Sequence, residues 1–214
     1  MSIYDTLSTY GVVPVIAIDD AAAALPLADA LIAGGLPVAE ITFRTEAARD
    51  VIAKIAAERP EMIVGAGTVL TEVQADDALA AGARFALSPG IGAAVLAHAA
   101  RIGLPFAPGI MGPSELQIAL RHGCEMVKFF PAMPAGGPSM LKNIAAPYAH
   151  TGIGFNPTGG VTPENLPDWL ALPQVRAVGG TWIARRDDIA AGNWDVITEN
   201  ARAAVARVRD IRGA

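Results

Sequence analysis

The chain has 214 residues, 52% of them hydrophobic and 17% charged, with a formal net charge of -5. That length predicts one domain over residues 1–214 with a sizeable core. Charged or turn residues break every apolar run before the 18 or so residues a membrane span needs, and no Lys/Arg block offers a surface to nucleic acid or anionic lipid.

In chain order, Ser2 to Tyr10 carries Ile3, Leu7 and Tyr10 at helical spacing and stops at Gly11, which predicts a short lead-in helix. The start, Met-Ser-Ile-Tyr-Asp-Thr-Leu, lacks the basic and apolar regions of a secretory signal, so a soluble cytoplasmic protein is expected. A strand over Val12 to Ile18 follows, then an alanine-rich helix capped by Asp19 or Asp20 that runs to Gly34 and Gly35. Val38 to Phe43 is a second strand, followed by a helix with Thr45 as its cap and Pro60 as its stop. Ile63 to Ala66 is a third, followed by a helix opening with the capping-box pattern Thr71-Glu72-Val73-Gln74. Phe85 to Leu87 and Pro105 to Ala107 are the fourth and fifth, with helices over Ile91 to Arg101 and Ser114 to His122. Met126 to Phe130 is the sixth, Ile153 to Asn156 the seventh and Val175 to Val178 the eighth. Short helices are expected around Leu141 to Ile144 and from Thr162, and a long one from about Trp194 to Arg209 closes the chain. Eight such units predict a (β/α)8 barrel, α/β in class and smaller than the roughly 250 residues typical of that fold. An open doubly wound sheet is the rival; the absence of a Gly-x-Gly-x-x-Gly turn after the first strand argues against it.

The sixth strand holds the most unusual residue. Of three lysines, Lys54 and Lys142 fall in helical polar patterns, whereas Lys128 sits in Met-Val-Lys-Phe-Phe. Alternation puts Met126, Lys128 and Phe130 on one face and Val127 and Phe129 on the other. Desolvation disfavours the charged form of such an amine and favours the free base that attacks carbonyls. The alternative is a strand-end lysine that snorkels to water. Glu40 is the acidic residue placed well inside a strand, with Thr42 and Arg44 on the same parity; it suits proton transfer beside the lysine, or else pairs structurally with Arg44. Thr68 ends the third strand after two glycines that permit close backbone approach. Ser88-Pro89-Gly90 and Pro108-Gly109 read as walls or tight turns. Thr158-Gly159-Gly160 and Val178-Gly179-Gly180-Thr181 follow the seventh and eighth strands, before helical starts, and together suggest a phosphate site built from backbone N–H groups. His98, His122 and His150 have no metal-binding spacing, so no metal is expected, and no Gly-x-Ser-x-Gly supports serine hydrolysis. Cys124 excludes an internal disulfide and reads as an inert buried thiol, and Trp169, Trp182 and Trp194 read as packing residues.

Val-Val-Pro-Val-Ile (12–16), Glu-Ile-Thr-Phe-Arg-Thr (40–45), Val-Gly-Ala-Gly-Thr-Val (64–69), Ser-Pro-Gly (88–90), Lys-Phe-Phe-Pro-Ala (128–132) and Pro-Thr-Gly-Gly (157–160), taken together, resemble the 2-keto-3-deoxy-6-phosphogluconate (KDPG) and 2-keto-4-hydroxyglutarate (KHG) aldolase family. The resemblance implies a class I aldolase on a (β/α)8 barrel, with Lys128 forming the Schiff base and Glu40 as acid/base. It further implies Arg44 and Thr68 on the pyruvyl carboxylate, Pro89 and Phe130 near the pyruvyl group, and a homotrimer. The implied reaction is reversible cleavage of KDPG to pyruvate and glyceraldehyde 3-phosphate, as in the Entner-Doudoroff route, with no diffusible cofactor. Two departures bear on ligand detail: Met133 stands where many relatives are acidic, and Thr181 where a phosphate-binding serine is familiar. The alternatives are a KHG aldolase or bifunctional enzyme, a phosphate-binding isomerase or epimerase without a covalent adduct, and a non-catalytic sugar-phosphate-binding module.

Overall fold

The computed structural model describes residues 2–213. Helix α1 (Ile3–Tyr10) is closed at both ends by local chemistry: Ser2 Oγ accepts from the Asp5 N–H while the Asp5 carboxylate accepts from the Ser2 N–H, and Gly11 ends the helix at φ 68°. Then come β1 (Val12–Ile16), a 3-10 turn over Ala21–Ala23 capped by Asp20, α2 (Ala24–Ala33), β2 (Val38–Thr42), α3 (Ala48–Glu58) and β3 (Ile63–Gly67). The middle of the chain is α4 (Glu72–Ala80), β4 (Ala86–Leu87), α5 (Ala93–Ile102), β5 (Phe106–Ala107), β6 (Gly109–Ile110), α6 (Pro113–Arg121) and β7 (Met126–Phe129). It finishes with α7 (Gly137–Ala145), β8 (Gly154–Pro157), α8 (Leu166–Leu170), β9 (Val178–Gly180), α9 (Arg186–Ala190) and α10 (Trp194–Arg212).

Every strand pairing is parallel, in the orders β5-β4-β3-β2-β1-β9 and β6-β7-β8. Isolated parallel bridges Phe155↔Val175 and Thr158↔Gly179 link the two sets into a curled sheet. The strands are buried along their whole length, as expected when helices cover one face and side chains fill the other. Phe129 and Trp169 illustrate the covered face, with ring centroids 6.3 Å apart and Trp169 fully buried, in keeping with a packing role. Among the described residues no helix is long and apolar enough to cross a membrane.

Three local expectations are corrected. Thr45 does not cap α3, which starts at Ala48 with no side-chain cap; its hydroxyl donates instead to the Ile18 carbonyl at 2.6 Å, tying two βα loops together. The fifth strand ends at Ala107 as expected, but Pro108-Gly109 is not a tight turn. Proline has no N–H to give the ladder, so β5 pairs with β4, while Gly109, just past Pro108, starts β6 against β7. The eighth strand lies later than Val175 to Val178: β9 is in register with Val12, Val13 and Pro14, and Val175 makes only an isolated bridge. Gly179 and Gly180 therefore lie inside a strand rather than in a turn after it.

Candidate active site

Lys128 and Glu40 meet inside the sheet. Lys128 Nζ donates to Glu40 Oε1 at 2.9 Å, and both residues are buried, whereas Lys54 and Lys142 are exposed. The partner left open by the sequence is thus settled: Glu40 pairs with Lys128, 88 positions away, and not with Arg44. β7 holds the lysine between Gly109 of β6 and Asn156 of β8, its register partners. On the other side Gly67 leaves room for the acid, since a Cβ there would stand 2.2 Å from Glu40 Oε1 and 2.7 Å from its Cγ. That glycine was expected to admit a ligand; what occupies its space is the Glu40 side chain. Glu40 Oε2 is buried with no hydrogen-bond partner among the described residues, an acceptor left open beside the amine.

The other expected residues lie at the carboxyl ends of the strands. Thr42 donates to the Ile16 carbonyl at 2.9 Å and accepts from Arg44 Nε at 3.2 Å, so the guanidinium is anchored as β2 ends. Thr68 follows β3 at φ 57°, in the left-handed region, where a non-glycine residue is strained by about 1–3 kcal/mol. Pro89 follows β4, and the absent side chain of Gly109 lets its backbone pass, since a Cβ on Gly109 would lie 2.1 Å from the Pro89 carbonyl oxygen. The Phe130 ring lies 5.7 Å from Lys128 Nζ.

After β8, Gly159 and Gly160 form a turn at φ 97° and 78°, a conformation that glycine adopts without strain. Gly160 also accommodates Met133, whose Cβ would be 2.7 Å from a side chain placed there. Gly179 serves packing rather than an open turn: it bridges Thr158, and a Cβ would fall 2.2 Å from Thr158 Oγ1. Thr181, directly after β9, shares with Arg44, Thr45, Arg185 and Arg186 the wall of a cavity of about 380 Å³. Val15, the register partner of Glu40, also lines it, which sets this cavity one strand away from the acid.

The family described as KDPG and KHG aldolase matches residues 3–200. The chain belongs to this aldolase family. It is 48% identical over 206 residues to the 2-dehydro-3-deoxy-phosphogluconate aldolase of Pseudoalteromonas atlantica, covering 96% of this chain and 95% of that one. The KHG/KDPG aldolase of Escherichia coli is 46% identical, with 93% and 92% covered. Among solved structures, the KDPG aldolase of Legionella pneumophila, with pyruvate captured as a covalent carbinolamine, superposes with a TM-score of 0.88 at 41% identity, covering 94% and 97% of the two chains.

Beside this candidate site lie Asn156, which the sequence reading passed over, and Thr158, which it read only as the start of a glycine turn. Asn156 and Thr158 are buried polar groups on β8 and just beyond it, and Thr158 Oγ1 donates to Asn156 Oδ1 at 2.9 Å. A polar residue ending the apolar run Ile153 to Phe155 was the available signal. Arg185 and Arg186 were the other omission, although they are the one place where two arginines are adjacent in the chain. Away from the site, burial pushes the Cys124 thiol up to about 11, consistent with an inert cysteine. His98 is held by Asp76 at 2.8 Å, and no cluster of three or more His, Cys, Asp or Glu suited to a metal occurs among the described residues.

Proposed function

We propose that the chain is a class I KDPG aldolase that cleaves KDPG reversibly to pyruvate and glyceraldehyde 3-phosphate. The observation that carries this reading is the buried 2.9 Å contact between Lys128 Nζ and Glu40 Oε1. An amine in hydrogen-bond contact with a carboxylate can pass its proton to that carboxylate and attack as the free base. Lys128 adds to the C2 ketone to give a carbinolamine, and loss of water, with Glu40 supplying the proton, gives an iminium. The iminium draws electrons as the C4 hydroxyl loses its proton and the C3–C4 bond breaks, releasing glyceraldehyde 3-phosphate. The remaining enamine is protonated at C3 and hydrolysed to pyruvate. A positioned acid/base of this kind contributes about 10² to 10⁴-fold in rate.

In this reading Arg44 and Thr68 hold the pyruvyl carboxylate, with Pro89 and Phe130 against the pyruvyl group. Gly159, Gly160 and Thr181 serve the phosphate, and Gly179 and Gly180 form the wall behind it. The anchoring of Arg44 by Thr42 and the strained backbone of Thr68 support these roles. The strands are read as a closed (β/α)8 barrel forming one domain over residues 1–214, supported by the bridges between β8 and β9 and by the one-residue gap between β5 and β6. A homotrimer is part of the proposal, supported by the exposed apolar side chains of Leu70, Val73 and Met111 on segments that follow β3 and β6. The bifunctional alternative stays in view because KHG has the same pyruvyl half and the Escherichia coli relative is named for both substrates. Borohydride reduction with pyruvate, followed by peptide mapping, should place the adduct on Lys128; a label on Lys54 or Lys142, or none, would overturn the mechanism.

A further inference from the structure

The cavity wall holds three guanidinium groups in different states. Arg186 is committed to Asp19 through a two-point contact, with Nε 2.6 Å from Oδ2. Arg44 donates to Thr42. The Arg185 guanidinium, in the same wall as Thr181, has no hydrogen bond or ion pair among the described residues. The positive charge of Arg186 is offset by Asp19, so among the three guanidiniums of this wall Arg44 and Arg185 carry positive charge that no carboxylate among the described residues offsets. Of these two Arg185 alone has no hydrogen-bond partner, in a chain whose net charge of -5 gives no general attraction for anions. A guanidinium presents paired N–H donors that match the oxygens of a phosphate, and such charge-assisted contacts are among the stronger hydrogen bonds.

We propose that Arg185 is a specificity-determining residue that binds the terminal phosphate of the substrate together with the Thr181 hydroxyl. The identity of the substrate rests on the aldolase reading; the anion site itself does not. Because Arg185 is exposed and unpartnered, replacing it leaves the core untouched.

Pyruvate release from KDPG and from its dephosphorylated form, 2-keto-3-deoxygluconate, tests the assignment as a ratio of kcat/KM values. In Arg185→Ala that ratio should fall by about 10-fold or more, the loss typical of a hydrogen bond to a charged group. Arg185→Lys should recover part of it, because an ammonium keeps the charge but not the fork. Inorganic phosphate, titrated by phosphorus NMR, should bind Arg185→Ala more weakly than the unaltered chain. An unchanged ratio with unchanged phosphate binding overturns the proposal, and so does a loss confined to KHG, whose distal anion is a carboxylate. Should the unaltered chain release no pyruvate from either sugar acid, the aldolase reading fails. The phosphate titration then decides alone: weaker binding by Arg185→Ala upholds the anion site and equal binding refutes it.

Discussion

Glu40–Lys128 and Asp19–Arg186 are ion pairs of similar length, 2.9 and 2.6 Å, in opposite surroundings. The side chains of the first are 0% and 6% exposed and those of the second 53% and 61%. In the interior both charges have lost their water, so each depends on the other and the loss of either strands its partner. At the surface water solvates both groups whether or not they touch, and the contact does little for the fold. Similar distances therefore say nothing about similar consequence. A buried pair is a poor device for stability, since apolar residues of the same volume often serve as well; its presence here is better explained by chemistry that needs an amine and a carboxylate in contact.

The strongest way to break the comparison is to remove the amine. Lys128→Ala should abolish the borohydride-trapped adduct and lower stability by about 3–5 kcal/mol, the cost of leaving a buried charge without its partner; denaturant unfolding measures the second effect. A variant as stable as the parent would show that Glu40 finds another partner. Glu40→Gln should keep the fold and slow turnover by about 10² to 10⁴-fold, and near-normal kcat would mean that another group moves the proton. Gly67→Ala probes the same pair from behind: the new methyl must displace Glu40 Oε1 from the 2.2 Å position, so kcat should fall along with about 1–3 kcal/mol of stability. If thermal unfolding and kcat are both unaltered, Glu40 does not depend on the space that glycine leaves.

The smallest effect belongs to the exposed pair. A hydrogen bond from Arg186 holds the Asp19 carboxyl below the usual carboxylate range, with its charge adding to the effect and desolvation opposing it. A lowered folded-state value means that the contribution is present above the ordinary carboxylate range and lost as pH falls through the lowered value. The Tm difference between Asp19→Asn and its parent should thus be slight at pH 6 and fade as acidification carries the Asp19 carboxyl through its lowered value. A difference that grows in acid would contradict the assignment.

Signals confined to a few neighbouring residues were legible without coordinates. The spacing of Ile3, Leu7 and Tyr10 announces the first helix, Gly11 its end and Thr71 the start of α4, because periodicity and caps are expressed within a few turns of chain. Reading failed where a local rule had a distant competitor. Thr45 looks like a cap, but its hydroxyl has the Ile18 carbonyl within reach, and Gly179-Gly180 looks like a turn, but the pair is glycine for the sake of Thr158, Val12 and Ile183. Gly67 looks like an opening for ligand and is filled by Glu40.

By itself the sequence determined the alternation of strand and helix, the apolar strand that buries Lys128, and the acid in the second strand, since periodicity and burial preference are written in adjacent residues. Only the tertiary structure decided that Glu40 rather than Arg44 meets an opposite charge, that Lys128 is its partner across 88 positions, and that Arg185 remains unpaired beside Thr181. Those outcomes depend on the register and curl of the whole parallel sheet. Strand pairing sums many weak contacts between distant segments, and no single stretch of chain encodes the sum.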